Sequence, residues 1–81
     1  MVAIEGNGIL KEWYLYEIEQ SKRYITLSQQ WISTLNGIRE RYQGNWRIME
    51  ACREIIFYHM KEIQKETEEI GSLRRAIGQL G

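Results

Sequence analysis

Proline is absent from this 81-residue chain, and so is aspartate, every one of its eleven acidic residues being glutamate. Proline would remove a backbone donor and clash with the preceding helical turn, so its absence leaves long helices free to continue. Cysteine occurs once, at Cys52, which excludes an internal disulfide and suits a reducing compartment. No apolar run approaches the ~20 residues of a membrane-spanning helix. The opening "MVAIEGNG" also lacks the basic-then-apolar order of a secretion signal. No membrane association and a cytoplasmic location are therefore expected. Net charge is missing as well: eleven Lys and Arg offset eleven Glu, five against five through Gly44 and six against six after it. No tail of one sign is available to bind nucleic acid by bulk electrostatics.

What the chain does contain is helical periodicity. Tyr14, Ile18, Ser21, Ile25, Ser28, Ile32 and Leu35 alternate four and three residues apart, the spacing of a coiled-coil seam. A second seam runs through Met49, Cys52, Ile56, His59, Ile63, Glu66, Ile70, Leu73, Ile77 and Leu80. The expected class is all-α. Residues 1–8, ending in "EGNG", read as a flexible arm, and residues 9–81 as a single domain. Gly71 and Gly78 lower helix propensity, so fraying is expected past Ile70.

Two dipeptides could turn the chain, Asn36-Gly37 and Gly44-Asn45. Long-range pairing favours the second. With the axis at Gly44, paired residue numbers add to 88, so that Ile32 faces Ile56, Ile25 faces Ile63 and Ile18 faces Ile70. At nearly the same register Leu35 meets Cys52, Ser28 meets His59 and Ser21 meets Glu66. Apolar layers meet apolar layers, and the polar ones meet serine. The expectation is a long antiparallel helical hairpin, with Gly44 in a left-handed cap and Asn45 capping the second helix. Buried polar seam residues would penalise wrong registers.

A two-helix hairpin can hide one stripe per helix, yet "IIFYHM" at residues 55–60 is apolar around most of the circumference. A chain this short also gains from association. The hairpin is therefore expected to pair into a homodimeric four-helix bundle. Its interface is placed at Tyr24, Leu27, Trp31, Ile55, Ile56, Tyr58, His59 and Met60.

Catalytic chemistry finds no foothold. Cys52, His59 and Glu66 are each seven residues apart, roughly 10 Å along a helix, too far to share a metal or form a nucleophile–base pair within one chain. No glycine-rich phosphate loop follows a strand. The expectation is a non-enzyme with no metal or cofactor. The stretch "LSQQWISTL", residues 27–35, is similar to the Ser-Gln-Glu-Leu-Asp motif of the small aspartyl-phosphate phosphatases that regulate sporulation, themselves short helical hairpins. Ile32 stands where that family's catalytic aspartate belongs, so the resemblance does not bring the activity with it.

The remaining signal is "RERYQGNWR", residues 39–47. Arg39, Arg41, Tyr42, Trp46 and Arg47 belong to the residue types that dominate interface hot spots. They are the candidate partner-binding set, with Tyr42 and Trp46 expected to pack together across the turn. The expected function is a homo-oligomeric interaction module, a small adaptor or regulator that binds another protein. The alternative is a nucleic-acid binder resembling Rop in architecture alone, gripping its ligand with the Arg39, Arg41 and Arg47 end.

Overall fold

A computed structural model describes the backbone of residues 2–80 and the side chains of residues 6–80. Two helices account for nearly all of it, α1 (Val2–Arg41) and α2 (Trp46–Leu80), folded back on each other as an antiparallel hairpin. The hairpin is a rod of 66 × 14 × 12 Å, about the length that forty residues rising 1.5 Å each should reach.

The turn lies where the pairing of the seams puts it. The Tyr42 amide closes α1 by donating to the Ile38 carbonyl at 3.1 Å, and the Asn45 amide donates back to the Tyr42 carbonyl at 2.9 Å. The Asn45 side chain then accepts from the Ile48 amide at 3.2 Å, satisfying one of the free donors at the start of α2. Gly44 departs from expectation. No described residue, Gly44 included, has the left-handed conformation. The reversal is closed by the three-residue Tyr42–Asn45 bond and the asparagine cap, which need no positive φ at the glycine.

Among the described residues, all seven that are buried belong to the two seams: Ile18, Ser21, Ser28 and Leu35 from α1, and Cys52, Ile56 and Ile70 from α2. The tightest apolar cluster joins Leu35, Cys52 and Ile56, with Ile32, Ile38 and Ile48 packed against it. Leu35 with Cys52 keeps the register expected near the turn. At the far end the Asn7 side-chain amide donates to the Leu80 carbonyl at 3.1 Å. Both pairs add to 87, so one register holds along the hairpin.

The same bond bears on the two ends expected to be loose. Residues 2–8 are not an irregular arm but the first turns of α1, and α2 continues beyond Ile70 to Leu80. Met1 and Gly81 lie outside the described residues. From Asn7 onward α1 has α2 beside it, and Asn7 occupies one of the carbonyls that α2 leaves free at its C-terminus. Tertiary pairing thus overrides the weak propensity of Gly71 and Gly78.

Helix α1 also passes unbroken through Asn36-Gly37. A methyl group added at Gly37 would meet nothing within 4 Å, and the backbone there is not left-handed. Gly37→Ala is therefore expected to stabilise the hairpin by about 0.5–1 kcal/mol, mainly by reducing the freedom of the unfolded chain. Chemical denaturation checks this, and a lower midpoint would show that the glycine serves the fold.

Candidate interaction surfaces

The seam of each helix faces the other, so the residues flanking the seams decide what the hairpin shows to its surroundings. On α1, Tyr24, Leu27 and Trp31 follow one another at three- and four-residue spacing and form one flank. Leu27 and Trp31 are each 51 % exposed, and Tyr24 is 38 % exposed. On α2 the flank on the same side carries Ile55 and Tyr58, also about half exposed.

Two contacts align these flanks. The Trp31 ring lies parallel to His59 at 6.4 Å between centroids, and Tyr24 sits beside Glu62 and Tyr58. The Tyr24 phenol is held above the usual tyrosine range. Removal of water from one side of the ring comes first among the causes, followed by the negative charge of Glu62. The result is one apolar face at mid-hairpin built from both helices.

Three residues expected on that face lie elsewhere. Ile56 is buried in the cluster with Leu35 and Cys52, because it is the seam residue one turn after Cys52 and cannot point both inward and sideways. His59 is half-buried at the border between seam and face, and its Nδ1 is buried without a hydrogen-bond partner. Met60 is about 200° round the helix from Tyr58 at 100° per residue. It lines a groove of about 360 Å³ on the opposite side, with Phe57, Ile56, Arg39, Glu50 and Arg53.

That second groove differs in character. Lys61 holds its ammonium 4.7 Å from the centre of the Phe57 ring, and Glu50 and Arg53 approach to 3.9 Å across its rim. Charged side chains cover its apolar floor, as on an ordinary solvated face. On the face with Trp31, Glu62 lies beside Tyr24 and Glu19, Lys22 and Arg23 share a groove with Leu27, while Trp31, Ile55 and Tyr58 stay about half exposed.

The turn end divides the arginines. Arg41, Tyr42, Trp46 and Arg47 are exposed, and Arg47 lies over the Trp46 ring at 5.8 Å. Arg39 does not join them. It is half-buried in the groove beside Ile56, with its Nε shielded from water and unpaired. The heptad spacing from Ile32 to Arg39 already carries this, since seven residues return to the same side of the helix. Nor do Tyr42 and Trp46 close the bundle end, for Trp46 is 72 % exposed and Tyr42 49 %.

The two flanks of the seam, the groove and the turn end are the surfaces on which a function can rest. Among the described residues, no helix is long and apolar enough to cross a membrane. Comparison of the chain with protein-family models, with curated proteins and with solved structures finds no match to any of them.

Proposed function

We propose that this chain is a non-enzymatic interaction module that works as a homodimeric four-helix bundle. The observation that carries the reading is the uncovered face of Tyr24, Leu27, Trp31, Ile55 and Tyr58. Leu10 and Trp13, further along α1, prolong it and are also exposed. Seven large side chains, each about half exposed, present on the order of 700 Å² of mostly apolar surface. A standard stable interface takes roughly 800 Å² from each partner, and a soluble monomer seldom exposes so long a patch. A second copy of the same face is the simplest cover, since two-fold pairing needs no other molecule.

The partner-binding surface in this reading is the turn end, with Arg41, Tyr42, Trp46 and Arg47. Arg47 stands in the first turn of α2, where no acidic residue offsets it and the helix dipole disfavours positive charge. Its stacking on Trp46 compensates locally. Together they form an exposed cationic and aromatic end suited to an acidic segment of another protein.

Light scattering at micromolar concentration tests the dimer. The expected mass is twice the 9.7 kDa of the chain, and a monomer mass would overturn the proposal. Titration with short RNA and DNA duplexes between about 50 and 200 mM salt tests the partner class. No saturable binding is expected. Binding that weakens steeply with salt, and is lost when Arg41 and Arg47 become glutamine, would give the turn end to a nucleic acid instead.

A further inference from the structure

The hairpin carries a second pair of stripes beside its seams, and they specify how two copies pair. Building on the dimer proposed above, we propose that the two hairpins associate with both turns at the same end. Each α1 then lies against the α2 of the partner.

On α1 the flanking stripe runs Leu10, Trp13, Glu17, Gln20, Tyr24, Leu27, Trp31, Thr34 and Ile38, again alternating three and four residues apart. Its counterpart on α2 runs Ile48, Ala51, Ile55, Tyr58, Glu62, Lys65, Glu69, Ser72 and Ala76. Tyr24 beside Glu62 and Tyr58, and Trp31 over His59, put both stripes on one face. The α2 stripe is lopsided: apolar on the half nearest the turn, then charged at Glu62, Lys65 and Glu69.

A two-fold axis parallel to the helices preserves the level of every residue. The register that joins Leu35 to Cys52 and Asn7 to Leu80 within a hairpin then also relates α1 to the α2 of the partner, to within two residues. Ile38 meets Ile48 of the partner subunit, Trp31 meets the partner's Ile55, and Leu27 meets the partner's Tyr58. Further from the turn, Tyr24 meets Glu62 of the partner subunit, where its phenol hydroxyl can donate to the carboxylate, and Gln20 meets the partner's Lys65. The wide Trp13 ring meets the partner's Ser72, and Leu10 meets the partner's Ala76, both small residues that leave it room. The single like-charged meeting, Glu17 with the partner's Glu69, has the partner's Lys65 one turn away.

An axis perpendicular to the helices gives the other face-to-face pairing, with the turns at opposite ends, α1 on α1 and α2 on α2. Centred at mid-hairpin, it lays Ile55 and Tyr58 over the charged half of the partner's α2. Shifting the centre toward the turn until the apolar halves of α2 coincide leaves Tyr24 and Leu27 at or beyond the turn of the partner. Neighbouring helices are antiparallel in both pairings, so their dipoles do not choose between them. Burying apolar surface against charge does.

The same-end pairing has a consequence for the turn. Both copies of Arg41, Trp46 and Arg47 gather at one end, forming a doubled cationic and aromatic surface. Their mutual repulsion is limited, because exposed charges about a Debye length apart are largely screened by salt.

Spin labels test the arrangement in the full chain. Gln43 in the turn and Gln79 near the open end are both exposed. Each is replaced singly by cysteine in a Cys52→Ala background whose helicity and mass have first been verified against wild type. If Cys52→Ala fails that check, the labels go into the wild-type chain, whose Cys52 is buried. Same-end pairing predicts a short distance between the two labels of the dimer at both sites, within about 30 Å. Opposite-end pairing centred at mid-hairpin predicts separations beyond about 40 Å at both sites, from the 1.5 Å rise per residue on either side of the axis. A dimer with two long distances overturns the arrangement while leaving the dimer intact. One short and one long distance overturns it equally, as the mark of an offset pairing. A monomer mass in unlabelled wild type overturns the dimer itself.

Discussion

Ile56→Glu is expected to unfold the protein. Ile56 is 8 % exposed and shares the tightest cluster in the hairpin with Leu35 and Cys52, backed by Ile32, Ile38 and Ile48. Truncating such a side chain to alanine costs about 2–5 kcal/mol through lost transfer energy and the cavity left behind. Glutamate adds the cost of a carboxylate in an apolar layer. Arg39 and Arg53 line the groove beside Ile56 and would offset only part of that cost, each having to leave its present packing or its Glu50 partner. A domain of this size has a net stability of about 4–12 kcal/mol, so the combined loss removes most or all of it. Circular dichroism at 25 °C should show more than half of the helical signal gone. Ile56→Val, which removes one methylene, should fold and lose only about 0.5–1.5 kcal/mol. A glutamate variant that melts like wild type would mean that Ile56 is not in the core.

The hairpin is legible in the sequence because its seams repeat for many turns. Ile18, Ser28, Cys52 and Ile70 are recognisable as inward residues from spacing alone, and their cross-pairing locates the turn at Gly44-Asn45. Local propensity would not have done so, since Asn36-Gly37 offers as good a stop. Propensity also misleads at both ends. The glycines of residues 2–8 and those at 71 and 78 suggest loose chain, whereas both stretches are continuous helix, tied together by the bond from Asn7 to Leu80. The left-handed cap expected of Gly44 fails for a related reason, because the bonds made by Tyr42 and Asn45 close the turn without a positive φ at the glycine.

The surfaces are less legible than the core. "IIFYHM" reads as apolar all round, and composition does not say which of its members faces inward. Once the seam assigns Ile56 inward, 100° per residue sends Ile55 and Tyr58 to one side and Phe57 and Met60 toward the other. Arg39 shows the same gap: proximity in sequence groups it with Arg41 and Arg47, while helical phase puts it in a groove two residues before the helix end. Reading phase from the seam outward would have separated both sets.

Trp31→Glu is expected to dissociate the dimer and leave the hairpin folded. Trp31 keeps 51 % of its surface exposed and touches its own protomer chiefly through the parallel stack on His59. Losing that contact costs the fold about 1 kcal/mol, within what the seams can spare. At the interface the cost is larger. A central tryptophan is typically worth at least 2 kcal/mol when truncated, and two-fold symmetry places the change in both subunits. About 4 kcal/mol weakens the dissociation constant by roughly 1,000-fold at 1.4 kcal/mol per decade. The introduced carboxylate would face the partner's Ile55, with no cation among the layers on either side. Sedimentation at micromolar concentration should therefore find a monomer with nearly the helical content of wild type. Phe57→Glu is the matched control, comparably exposed at 58 % and one residue from Tyr58, but on the side of the Arg39 groove. It should remain a dimer. Dissociation in both variants, or in neither, would mean that the face carrying Trp31 is not where two copies meet.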